Sequence, residues 1–107
     1  MPGGSSLGTG ELTILLVLMR LGDDAYGVTI AREIEEATGR TVALASVYAT
    51  LDRLKEKGFA ESELGEPTAE RGGRAKKHFR ITSKGVREAR AAKHSLVTLW
   101  KGLTQLT

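Results

Sequence analysis

The chain has 107 residues, two His and no Cys, with 16 Lys and Arg against 13 Asp and Glu. That length fits one domain whose modest core gains from a partner surface, and the lack of thiols excludes a disulfide framework, a thiolate nucleophile and a cysteine metal site, as suits a reducing cytoplasm. The formal net charge of +3 conceals an asymmetry: residues 1–70 carry twelve acidic groups against six basic ones, while residues 71–93 carry nine Lys and Arg against Glu88 alone.

Met1 to Gly8, rich in Gly and Ser, reads as a disordered arm. A first helix opens at Thr9 or Gly10, with Leu12, Leu15, Leu16 and Met19 as its apolar face and Gly22 as a left-handed stop. Asp24 is the expected N-cap of a second helix, from about Ala25 to Thr38, with Val28, Ile30, Ile34 and Ala37 apolar and Gly39 ending it. Arg40 to Leu44 reads as a short strand. The third helix, Ala45 to Lys57, places Val47, Leu51 and Leu54 at helical spacing, turns Ser46, Ala49, Thr50 and Arg53 to the other side, and ends at Gly58.

A hairpin follows. Ala60, Ser62 and Leu64 alternate with Glu61 and Glu63, and after the loop Gly65 to Gly73 a second strand, Ala75 to Ile81, sets Phe79 and Ile81 inward against His78 and Arg80 outward. Two strands alone are marginal and must lie on the helices. Thr82 then caps a last helix in which Ala89, Ala92, Leu96, Leu99, Leu103 and Leu106 repeat at three and four, a heptad seam suited to packing on a symmetry mate. The expected class is α+β, mostly α, with an arm over 1–8, a winged helix-turn-helix over 9–82 and a dimerisation helix over 83–107.

Four of those nine cations lie in the hairpin tip, where Arg71, Arg74, Lys76 and Lys77 surround Gly72-Gly73, and no acidic residue lies between Glu70 and Glu88. A helix with a small polar outer face beside a basic hairpin is the layout of a winged helix-turn-helix on DNA. Small side chains let a helix enter a major groove about 12 Å wide, and Arg53 can donate to phosphate or guanine, so Thr50 is assigned to bases and Arg53 to phosphate. The plainer alternatives are a solvated helix face and a flexible turn whose charges aid solubility. Tyr48, beside the Leu51 stripe, is open to reading as a core-edge aromatic or as a backbone contact.

Other chemistry finds no footing. His78 and His94 stand apart with no carboxylate pattern for metal or triad chemistry, and Gly72-Gly73 lacks the spacing and the following Lys-Ser/Thr of a phosphate loop. No enzyme, cofactor or metal is expected. No apolar run approaches the roughly 20 residues that span a bilayer, and Met1 to Gly10 has no signal-peptide core. Trp100, next to the Leu96, Leu99 and Leu103 seam, reads as an interface aromatic.

Tyr26-Gly27, Ser46-Val47-Tyr48, Leu51-Asp52-Arg53-Leu54, Lys57-Gly58, Gly72-Gly73-Arg74 and Phe79-Arg80-Ile81-Thr82, in that order, resemble the PadR family of bacterial transcriptional regulators over roughly Glu11 to Gly85. The resemblance, to short-form members, implies a homodimer joined by its C-terminal helices, bound to double-stranded DNA at a palindromic operator and usually repressing. It implies DNA contacts from Ser46, Tyr48, Ala49, Thr50, Arg53, Arg71, Gly73, Arg74, Lys76 and Lys77, with the Tyr48 hydroxyl reaching the DNA backbone. It also implies a possible planar aromatic effector stacked on Trp100 at the dimer interface. Ala45 stands where the family commonly has Gly, His78 where an aromatic is common, and Phe79 where Tyr is common. The alternatives are a winged-helix protein–protein adaptor and a sensor of planar aromatics.

Overall fold

The computed structural model describes residues 7–65 and 76–103. In chain order these form α1 (Thr9–Leu21), a 3-10 turn (Gly22–Asp24), α2 (Gly27–Thr38), α3 (Leu44–Glu56), β1 (Ala60–Leu64), β2 (Lys77–Ile81) and α4 (Ser83–Lys101). The expectations for Arg71, Gly73, Arg74 and Leu106, and for the arm over residues 1–6, fall outside the described residues. Leu7 already packs against the core.

The core is a stack of three helices closed by the hairpin. Ile14, Leu15, Val17 and Leu18 of α1 meet Ile30 and Ile34 of α2 and Val47, Leu51 and Leu54 of α3, while Phe59, Ala60, Phe79 and Ala89 seal one end. Each large side chain buried there contributes about 1.5–3 kcal/mol, which offsets the cost of ordering three short helices and a hairpin too small to stand alone. Gly22, Gly39 and Gly58 all have positive φ, as their role as helix stops requires.

α1 is rotated from its expected position. Leu15 is buried, but Leu16 and Met19 are exposed, and Ile14, Val17 and Leu18 line the core instead. Seven of the eight residues from Leu12 to Met19 are apolar, so periodicity alone cannot choose between overlapping faces. The choice falls to α2, α3, α4 and β2, all of which α1 touches.

The start of α2 also differs. Tyr26, not Asp24, is its N-cap: the Tyr26 N–H donates to Thr29 Oγ1 at 3.0 Å, a reciprocal cap made by the third residue of the helix. Asp24 lies in the preceding turn. Val28 and Ala37, expected inside, are exposed.

Residues 40–43 form a linker and no strand. A strand needs a ladder partner, and the free edge of β2 is already taken one loop earlier. There Tyr26 bridges His78, and Phe79 N–H donates to Ala25 O at 2.8 Å. β1 and β2 pair antiparallel, with Ala60 opposite Ile81 and Leu64 opposite Lys77. Their alternation fades toward the loop, where Leu64 is exposed.

The Thr82 side chain caps α4, accepting from Gly85 N–H at 3.0 Å and donating to Gly58 O at 2.7 Å. A Cβ on Gly85 would lie 2.2 Å from Phe59 O, so the helix starts pressed against the corner between α3 and β1. Ala89, assigned above to the dimer seam, is 1% exposed and belongs to the chain's own core. It lies within two turns of that corner, where α4 is still covered by α1 and β2. Beyond it Ala92 is half-buried, and Leu96, Leu99, Trp100 and Leu103 are uncovered.

Candidate nucleic-acid interface

α3 buries Val47, Thr50, Leu51 and Leu54. Residues at spacings of four and three line the opposite side, and there Ala45, Ala49, Asp52 and Glu56 are all exposed, with Ser46 and Arg53 exposed on one flank and Tyr48 on the other. The first two turns of this outer surface are small and uncharged. The later turns carry Asp52 and Glu56, which a phosphate backbone repels. Only the N-terminal half of α3 is therefore built to enter a groove, as in helix-turn-helix docking.

Thr50 departs from expectation. It is 8% exposed, because its position beside Leu51 and Leu54 turns it toward α1, and its Oγ1 accepts from Arg53 Nη2 at 3.1 Å. It therefore supports Arg53 and offers little of itself to a partner. Ser46, Val47 and Thr50 also line a groove of about 580 Å³ between the start of α1, the end of α2 and Arg40.

The flank toward the hairpin is aromatic. The Tyr48 hydroxyl rests on the first residue of α2, where a Cβ on Gly27 would lie 2.2 Å from it, and its ring tilts at 54° to Phe79 with centroids 6.2 Å apart. Tyr26 meets His78 edge-on at 5.5 Å. Lys76 Nζ lies 4.3 Å from the Tyr26 ring centroid and 3.2 Å from its hydroxyl, while Lys77 Nζ stands 6.0 Å over Phe79. Among the described residues neither lysine forms an ion pair. Arg80 behaves otherwise: Glu61 at 3.1 Å and Glu63 at 2.6 Å across the ladder neutralise it.

On the other flank, Glu11 of α1 is almost fully buried and ion-paired to α3. Lys57 Nζ lies 2.9 Å from Oε1, and Arg53 Nε lies 3.5 Å from Oε2. Burial works against the Glu11 charge, but Gly8 N–H, Lys57 and Arg53 together hold its carboxyl below the usual glutamate value.

Residues 14–91 match the model of the transcriptional regulator PadR-like family. The chain belongs to this family. PadR-like membership and the winged helix make it a DNA-binding transcriptional regulator. Solved PadR structures share the fold. A PadR family regulator from Clostridium difficile R20291 is 21% identical with a TM-score of 0.76, covering 92% of this chain and 98% of that one. A PadR-like regulator from Bacillus cereus strain ATCC 14579 is 22% identical with a TM-score of 0.76, covering 92% and 91%. One from Eggerthella lenta DSM 2243 is 23% identical with a TM-score of 0.71, covering 91% and 81%. No curated protein sequence matches significantly.

In this PadR-like chain the fold brings Ser46, Ala49 and Arg53 to one side of α3 and Tyr48, Lys76 and Lys77 to the wing side. Two contributors escaped the sequence reading. Glu11 had a signal, a lone carboxylate in an apolar helix three residues after Gly8. Tyr26, which seats Lys76, had none beyond its place in the family motif. Among the described residues no helix is long and apolar enough to cross a membrane.

Proposed function

We propose that the chain acts as a homodimer that represses transcription by occupying a palindromic operator. The observation that carries this reading is the slim, uncharged front of α3 set beside wing lysines that have no carboxylate partner among the described residues. Ala45, Ser46 and Ala49 would enter the major groove, and Tyr48, Arg53, Lys76 and Lys77, with Arg71, Gly73 and Arg74 of the loop, would hold flanking phosphates.

Dimerisation draws support from α4. Leu99 is 69% and Trp100 62% exposed, and with Leu96 and with Leu103 just past the helix end they form an apolar ridge beyond the core. Pairing two ridges would set the α3 helices on half-sites about 34 Å apart. The exposed indole also supports a second reading, a planar aromatic effector stacked between paired helices. Quenching of Trp100 fluorescence by planar aromatics tests it, and a flat response across a broad panel counts against it.

The main reading is tested by selecting bound sites from random DNA and aligning them. An inverted repeat with half-sites one turn apart supports it, and recovery of no common sequence counts against it.

A further inference from the structure

Glu11 does more than its local geometry demands. Capping α1 needs only its bond from Gly8 N–H at 3.0 Å, and a neutral Gln serves that purpose equally well. Yet the side chain is an ionised carboxylate, 6% exposed, reaching across from the first turn of α1 to Arg53 of α3 and to Lys57 just past its end. Keeping a charge there is costly unless it is fully partnered, so its value lies in what it holds.

What it holds is the edge of a guanidinium. Arg53 Nε faces Glu11 at 3.5 Å and Nη2 donates to Thr50 Oγ1 at 3.1 Å, while the side chain as a whole stays 55% exposed. A guanidinium is a rigid planar fork with five N–H donors. Engaging two of its nitrogens in this way leaves the other N–H donors of this half-exposed side chain without a partner among the described residues, on the same flank of α3 as Ser46. Phosphate recognition by Arg works best with such a preset fork, because less side-chain freedom is lost on binding.

We propose that Glu11 is a positioning residue for DNA recognition, orienting Arg53 so that its outer edge meets a backbone phosphate beside the groove that α3 enters. This rests on the DNA-binding reading above. Replacing Glu11 by Gln keeps the cap and the shape but releases the guanidinium. Binding to a selected operator then loosens roughly three- to tenfold, the scale of ordering one long side chain. Removing the carboxylate raises the net charge by one whichever duplex is bound, so the random duplex measures that electrostatic gain separately from the release of Arg53.

The test is a double-mutant cycle on a duplex selected by the parent chain, with a random duplex as control and circular dichroism to check folding. The parent, Glu11→Gln, Arg53→Ala and the double variant are titrated by fluorescence anisotropy. A Glu11→Gln loss that disappears in the Arg53→Ala background supports the proposal. A loss of the same size in both backgrounds, or no loss at all, overturns it. Should Glu11→Gln fail to fold, Glu11→Asp retains the charge but withdraws it from Arg53, and the same cycle applies. A parent chain that binds neither duplex overturns the DNA reading itself, an outcome distinct from a binding parent whose two losses simply add.

Discussion

The hydroxyl of Tyr48 fills the space in which a side chain on Gly27 would begin, so a Cβ there would lie 2.2 Å from it. The glycine at the start of α2 and the tyrosine on α3 are thus one device: the first exists to seat the second, and the seated ring carries α3 against Phe79 of the wing strand.

Gly27→Ala should expel the Tyr48 ring and destabilise the fold by about 1–3 kcal/mol, the usual cost of overpacking. Thermal unfolding followed by circular dichroism measures it. Gly27→Ala combined with Tyr48→Ala should recover part of the loss, because the clash requires both partners.

A carboxylate on the front of α3 separates binding from folding. Ala49→Asp should shift stability by no more than about 0.5 kcal/mol, as exposed substitutions do, while weakening association with every duplex through repulsion from phosphate. Unfolding and anisotropy titrations on the same preparation check both halves.

Lys76→Ala and Arg74→Ala should each weaken binding to all sequences alike and reduce the salt slope by about one per bound chain, about two for a dimer. Arg80→Ala should alter the slope less, since Glu61 and Glu63 already neutralise that residue. Titrations at several salt concentrations distinguish them.

Leu99→Asp should give monomers, because pairing the α4 ridges would bury an unpaired carboxylate in each copy. Operator affinity should fall with it. Sedimentation that still shows a dimer would place the interface elsewhere.

Acid should erode the bond between α1 and α3. The Glu11 carboxyl lies below its ordinary value of 4.5 in the folded chain, so below that value the unfolded chain binds more protons and stability rises with pH. The Glu11 contribution is fully present above 4.5 and is lost as pH falls through the folded value. Urea midpoints of the parent and Glu11→Gln should therefore differ by a constant amount near neutral pH and converge in acid.

Legibility in the sequence followed the local physics. β1 was readable to the residue and α3 to within one at each end, because Val47, Leu51 and Leu54 form a single clean stripe and Gly58 leaves no choice of stop. α1 was readable as a helix but not in its rotation, since an almost wholly apolar cylinder carries no phase. The short strand expected over Arg40 to Leu44 does not form, and β2 is instead bridged by Tyr26, ahead of α2, a pairing with His78 about fifty residues away that no local pattern announces. Thr50 and Ala89 were misplaced for the same reason: each sits at the margin of a periodic stripe, and burial there is decided by which neighbour arrives. Nothing in the local pattern around Arg53 announced Glu11, which lies on another helix.

The most direct test of the central claim is binding of the purified chain to a labelled duplex, followed by anisotropy from dilute buffer to physiological salt. The account predicts tight association in dilute buffer, two chains per operator, and affinity that falls by orders of magnitude as salt rises, the signature of phosphates releasing their counterions. A chain that ignores duplex DNA even in dilute buffer would contradict it.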